Sequence, residues 1–229
     1  MEYPHNRPYT ADDLVRIITL LRDPVNGCPW DKVQTHTSIR MNFLEEAYEA
    51  VDALDLDDPV LMCEELGDVL MQVAFHTCME QETGRFTWEQ VCDGVCQKLI
   101  ERHPNIFGTQ PGYEGITDWD ALKNKEKGRR TLADDLESVP RAMPALMRAA
   151  KLQKRAARHG AALQGADAAA LADAAENLQT AQPASAQAEQ AVGELLFGAA
   201  NLARQAGVDP EQALQKANEA FCTAAGPVA

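Results

Sequence analysis

From Leu44 to Leu70 the chain reads LEEAYEAVDALDLDDPVLMCEELGDVL, with ten acidic residues and no Lys or Arg; the gap in basic residues extends from Met41 to Gly84. Helices ordinarily support surface carboxylates with cations three or four residues away, and here none exist. The stretch is broken once, at Leu56-Asp57-Asp58-Pro59. Pro suits the first turn of a helix and not its interior, so this break ends one helix and opens the next. The stretch thus predicts two helices, over about 37–56 and 59–83, with Gly84 as the stop. Their short connection makes them antiparallel neighbours.

At about 100° per residue, Leu44, Ala47, Tyr48, Val51 and Leu54 share an apolar face of the first helix, expected to face the core. Glu46, Glu49, Ala50 and Ala53 form a second stripe. On the other helix Leu66, Val69, Leu70 and Val73 form the expected core face. Glu65, Asp68 and Gln72 share another stripe, with His76 a turn beyond. Each helix therefore presents a carboxylate pair at i, i+3, and the small Ala50 and Ala53 allow close approach. Carboxylates that converge raise one another's pKa, and a divalent cation removes that conflict. An all-oxygen donor set favours a hard ion, Mg²⁺ or Mn²⁺, over zinc. A di-iron bundle would instead use Glu-x-x-His pairs. The alternative is a solvated acidic helix face.

The rest of the chain also reads as helical. Thr10 is an N-cap for a helix ending near Arg22, and Thr87-Trp88-Glu89-Gln90 is a capping box for another, closed by His103-Pro104. Further helices are expected over about 117–130 and 140–158. No alternating β-branched run suggests a sheet, so the fold class is all-α. The formal charge of −14 argues against a nucleic-acid or anionic-membrane binder, and no apolar run approaches the length of a membrane span. The N-terminal stretch lacks the apolar core of a secretory signal. The six cysteines show no CxxC spacing and read as small unpaired thiols of a reducing cytoplasm.

A cationic set lies downstream. Lys98 and Arg102 are spaced i, i+4, and Trp119 and Lys123 repeat that spacing. A bound cation with Lys and Arg suits a polyphosphate ester, because the ion bridges some phosphate oxygens and the side chains take the rest. An aromatic face can stack on a base.

From Ala161 to Ala191, 14 of 31 residues are Ala, which predicts a thin helix or a linker. Beyond it VGELLFGAANLARQAGVDPEQALQK echoes LGDVLMQVAFHTCMEQETGRFTWEQVCDGVCQK, with Gly67-Asp68 against Gly193-Glu194. This predicts a duplicated helical unit. Ala191 stands at the place of Glu65 and Ala220 at that of Arg102, so the second unit reads as catalytically dead, with Glu194 as its one retained acid. The expected organisation is a catalytic domain over 1–158, an Ala-rich linker or thin helix over 159–191, and a truncated second unit over 192–229.

Glu45-Glu46-x-x-Glu49 followed by Glu65-x-x-Asp68 resembles the EExxE…ExxD motif of the all-α nucleoside triphosphate pyrophosphohydrolases of the MazG type. The likeness extends to GCPWDKVQT, GRF, KLIERHPNIFG, WDALKNKEK and PALMRAAKLQKRA, in that order. The resemblance implies Mg²⁺-dependent hydrolysis of a nucleoside triphosphate to the monophosphate and pyrophosphate. It implies Glu46, Glu49, Glu65 and Asp68 as metal ligands, Lys98 and Arg102 on phosphates, and Trp119 and Lys123 in the nucleotide pocket. Homodimers of helical bundles are implied as well. The general base is expected to be Glu49 or Glu45. Two rivals stand beside this reading: a related dUTP or phosphoribosyl-ATP hydrolase, and a non-enzymatic helical interaction protein.

Overall fold

The computed structural model describes residues 3–5, 7–104, 106–108, 122, 124, 126–163 and 165–226. Among these residues there are α-helices, one short 3₁₀ turn (Asp31–Val33) and no strand, as an all-α chain requires. The helices are α1 (Ala11–Leu21), α2 (Arg40–Leu56), α3 (Pro59–Glu82), α4 (Trp88–Arg102), α5 (Leu132–Glu137), α6 (Ala145–Arg158), α7 (Ala168–Thr180), α8 (Ala186–Gln205) and α9 (Pro210–Ala225). The chain divides into two compact units, Met1–Ile116 and Thr117–Ala229. The boundary expected at 158 thus falls inside the second unit. The Ala-rich stretch expected as linker or thin helix holds α7 and the start of α8.

The helix ends follow local chemistry. Thr10 and Asp13 form a full capping box for α1, and Thr87 and Gln90 form one for α4. Asp58 caps α3 by accepting from the Val60 and Leu61 amides, with Pro59 in the first turn. The α2–α3 turn is made by Asp57 in the left-handed region, φ 52°, where Asp is among the few tolerated residues. Most of the helix expected over 117–130 lies outside the described residues. The helix expected from 140 begins at Ala145, and α5 precedes it, opened by a Thr131–Asp134 capping box.

In the first unit, Val15 and Ile18 of α1 pack with Ile39, Trp88 and α3's Ala74, Phe75, Cys78 and Met79. This core holds the C-terminal half of α3. Its N-terminal half pairs with α2, and there the sequence expectation holds only in part: Val73 packs on the core and Leu44, Ala47 and Val69 are half-buried, but the other five residues of the two expected core faces point outward. Tyr48, Val51 and Leu54 are 52%, 50% and 53% exposed, and Leu66 and Leu70 are 53% and 40% exposed. The buried positions are Ala50 and Ala53 on α2 and Gln72 on α3. The two helices meet through their small and acidic stripes. Alanine lets the backbones approach closely, so the seam lies where side chains are shortest, and the bulky apolar faces point outward.

In the second unit α7 and α8 form a second antiparallel hairpin, with α6 packed on α8. Its polar anchor is Asp135, 1% exposed, which meets Arg155 and Arg158 at 3.0 Å and His159 at 3.1 Å. Burial raises the Asp135 pKa, but hydrogen bonds from Asn124, Arg158 and His159 outweigh it, so the carboxyl stays below its ordinary value.

Candidate active site

The α2–α3 seam brings together Glu46, Glu49 and Glu65. One carboxylate oxygen from each lies within 4.8 Å of the others. Glu46 and Glu65 are half-buried, and Glu49 is exposed. Desolvation and then like charges decide their protonation. Glu46 is raised by burial and by Asp68, Glu49 and Glu45, with a hydrogen bond from Gln72 acting the other way. Glu65 is raised by burial and by Glu49, Glu64, Asp68 and Glu46. Among the described residues, the charged neighbours that shift these two are all carboxylates. The arrangement is one that a proton or a divalent cation relieves. Its all-oxygen donor set fits a hard ion.

Asp68, expected fourth in this group, is half-buried one turn from Glu65, close enough to raise both Glu46 and Glu65 but outside the tight group of three. Glu45 is exposed beside Glu46 and also stands outside the group. Lys98 and Arg102 lie one turn apart on α4, exposed and half-buried, and α4 packs against α3. Trp119 and Lys123 lie outside the described residues.

The polar stripe of α3 continues beyond the carboxylates. Gln72 donates through Nε2 to Glu46 Oε1 at 3.3 Å. One turn on, His76 Nδ1 lies 2.7 Å from His36 Nδ1, and burial followed by the His36 charge lowers the His76 pKa. One turn further, the buried Glu80 meets His36 Nε2 at 2.5 Å and Arg85 Nε at 2.6 Å. His36 belongs to the loop before α2. Arg22 holds the same loop, donating to the Asp31 and Gln34 carbonyls at 2.8 and 3.2 Å while paired with Glu82. Spacing on one helix finds Gln72 and His76. It cannot pair His36 with a residue 40 positions away.

A family model for the MazG nucleotide pyrophosphohydrolase domain matches residues 34–107, which span all three converging carboxylates, Asp68, Lys98 and Arg102. The chain is 41% identical over 219 residues to the nucleoside triphosphate pyrophosphohydrolase of Escherichia coli strain K12, covering 92% of this chain and 83% of that protein. The chain belongs to the MazG family. It is also 39% identical over 212 residues to the nucleoside triphosphate pyrophosphohydrolase/pyrophosphatase MazG of Thermotoga maritima, covering 92% of this chain and 82% of that protein. MazG membership makes the chain an enzyme, a hydrolase, and removes the reading as a non-enzymatic interaction protein.

The second unit, read from sequence as retaining one acid, holds more. Asp173 and Glu176 are spaced i, i+3 on α7, a pair the sequence reading overlooked because Ala dominates the segment. With Leu44 set against Leu171, they stand at the places of Glu46 and Glu49. Asp173 and Glu194 line an open groove of about 520 Å³ with Asn177, Gln190 and Phe197. Gln190 donates to Glu194 at 2.8 Å. Among the described residues, no triple of potential ligands converges there.

Proposed function

We propose that this chain hydrolyses nucleoside triphosphates to the monophosphate and pyrophosphate by attack at the α-phosphorus, with Mg²⁺ as its natural cofactor and Mn²⁺ as a substitute. The carrying observation is the convergence of Glu46, Glu49 and Glu65 within 4.8 Å, with two of the three pushed toward protonation by burial and by like charges among the described residues. Such a group is costly unless a cation joins it. The relatives' names supply the substrate class.

In this reading Glu46, Glu49 and Glu65 hold the ion, with Asp68 completing the anionic face. The ion, when bound, neutralises triphosphate charge and polarises the phosphorus under attack. Lys98 and Arg102 take phosphate oxygens, charge-assisted contacts that also stabilise the departing pyrophosphate. Glu49 is the favoured base for the attacking water, since it is exposed at the edge of the group; Glu45 is the second candidate. Trp119 and Lys123 are assigned to the nucleotide by family resemblance alone. The chain is placed in the cytoplasm, because its six unpaired cysteines suit a reducing compartment. No helix among the described residues is long and apolar enough to cross a membrane.

The test is hydrolysis of a panel of nucleoside triphosphates in ¹⁸O-water with Mg²⁺. Monophosphate and pyrophosphate should form in equal amounts and vanish with chelator, and the label should enter the monophosphate. Label in pyrophosphate would place attack at the β-phosphorus, and release of diphosphate with orthophosphate would place it at the γ. Dimerisation is proposed from the outward apolar face of Tyr48, Val51, Leu54, Leu66 and Leu70, a surface that needs covering. Leu66→Glu with Leu70→Glu should halve the mass in sedimentation. An unchanged mass would move the interface elsewhere.

A further inference from the structure

Gln72 sits in the α2–α3 seam at 7% exposure, one turn beyond Asp68 on the carboxylate stripe of α3. Its Nε2 donates to Glu46 Oε1 at 3.3 Å, a long but well-placed contact. Its own Oε1 is buried and meets no donor among the described residues. The opposite amide orientation would turn Oε1 onto an ionised carboxylate, so this one is dictated by Glu46. A buried carbonyl without a partner costs stability, and an apolar side chain of the same length would avoid that cost. Packing alone therefore gives no reason for an amide here.

We propose that Gln72 is a positioning residue that holds the Glu46 carboxylate oriented for cation binding, at the expense of the stability of the ion-free protein. The proposal rests on the reading that Glu46 holds a divalent cation. The geometry agrees with it. The amide fixes which way the Glu46 carboxylate faces, as hydrogen-bond partners of metal ligands do, where their loss typically weakens metal binding by about 10–100-fold. At the matching place of the second unit, four residues beyond Glu194, stands Gly198, and no triple of potential ligands converges there among the described residues.

The test compares the full-length wild type with Gln72→Met, which keeps length and removes both polar atoms. Ion-free melting temperature is measured in chelator, and Mn²⁺ affinity is measured by electron paramagnetic resonance without nucleotide. The expected result is opposite in sign for the two readouts. The melting temperature rises, Mn²⁺ affinity falls about tenfold, and the Mg²⁺ concentration for half-maximal turnover rises to match. A purely structural glutamine would give a lower melting temperature with Mn²⁺ affinity unchanged, and that result overturns the proposal. Gln72→Leu repeats the measurement if methionine prevents folding, and failure of both to fold would also mark the residue as structural and overturn it. A wild type that binds no Mn²⁺ would overturn the ion reading itself, whereas equal binding by wild type and variant would overturn only the role of Gln72.

Discussion

The hairpins α2–α3 and α7–α8 are two versions of one device. In both, an antiparallel pair closes on small residues: Ala50 and Ala53 in the first, Ala174, Ala191 and Gly198 in the second. In both, α3 and its counterpart α8 turn apolar side chains outward, Leu66 and Leu70 against Val192 and Leu196 in the register set by Gly67 and Gly193. What differs is the seam. The first unit places Gln72 beside Glu46 and keeps Glu65. The second has Gly198 at the place of Gln72, and the Leu171 Cδ1 lies 2.0 Å from where a β-carbon on that glycine would stand. An apolar side chain thus fills the space that an amide occupies in the first unit. Losing Glu65 to Ala191 and Gln72 to Gly198 removes one ligand candidate and the support of another. Asp173, Glu176 and Glu194 remain, but α7 and α8 do not draw them into one tight group. Converging carboxylates need a scaffold that resists their repulsion, and acids on a matching register do not supply it alone.

The comparison breaks most sharply on the carboxylates. Glu46→Gln or Asp68→Ala is expected to reduce pyrophosphate release by at least about 100-fold, because each weakens the anionic group proposed to hold the cation that stabilises transition-state charge. Asp173→Ala and Glu194→Ala should stay within about two-fold, since exposed changes away from special features usually cost under about 0.5 kcal/mol. Loss of turnover in a folded Glu194→Ala protein would mean that the second unit reaches into the reaction.

Gly198→Gln asks whether the amide can be restored. It forces a side chain onto Leu171 and should destabilise the protein by about 1–3 kcal/mol, read by denaturant titration. An undiminished midpoint would show that the second seam is looser than its geometry.

Lys98→Ala and Arg102→Ala each remove a charge-assisted contact worth about 1.5–3 kcal/mol, so kcat/KM should fall about tenfold or more. Lys216→Ala, at the matching place on α9, should leave it unchanged. An equal effect at Lys216 would make both units part of the phosphate site.

The smallest expected effect is on pH. Glu46 and Glu65 have folded-state pKa values above the ordinary 4.5. Their contribution to stability is complete below that value and is lost as pH rises through the raised ones. Without metal, the Glu46→Gln/Glu65→Gln double variant should therefore gain on the wild type as pH rises from about 4.5 toward neutrality, by thermal melting in matched buffers. Millimolar Mg²⁺ should shrink that gain, because the ion stabilises only the wild type. A gain that is flat with pH would show that the carboxylates do not strain the seam.

Much of this was legible in the linear chain. The caps at Thr10 and Thr87 and the Pro59 start are local signals, and each stands where the structure has it. The carboxylate spacing was readable too, because i, i+3 pairs share a face whatever the helix packs against. The six-residue α5 was missed because its signal, Thr131 with Asp134, stands in a stretch without apolar periodicity. Asp173 was missed because alanine on every side hides the phase of its helix.

By itself the sequence determined helix starts and stops, which residues share a stripe, and the family. It did not determine which stripe faces inward. Hydrophobicity argued for Tyr48, Val51, Leu54, Leu66 and Leu70, but in the folded chain Ala50, Ala53 and Gln72 take the inside. Periodicity records that a helix has an apolar side, but not whether that side meets its own chain or is left for another surface. Only the packing decides that, because the distance at which two backbones can close depends on the shortest side chains between them. The pairings of Gln72 with Glu46 and of His36 with His76 and Glu80 belong to the same class. They join residues separated by a turn, a loop and half a helix, and their meeting is set by how α2, α3 and the preceding loop pack together.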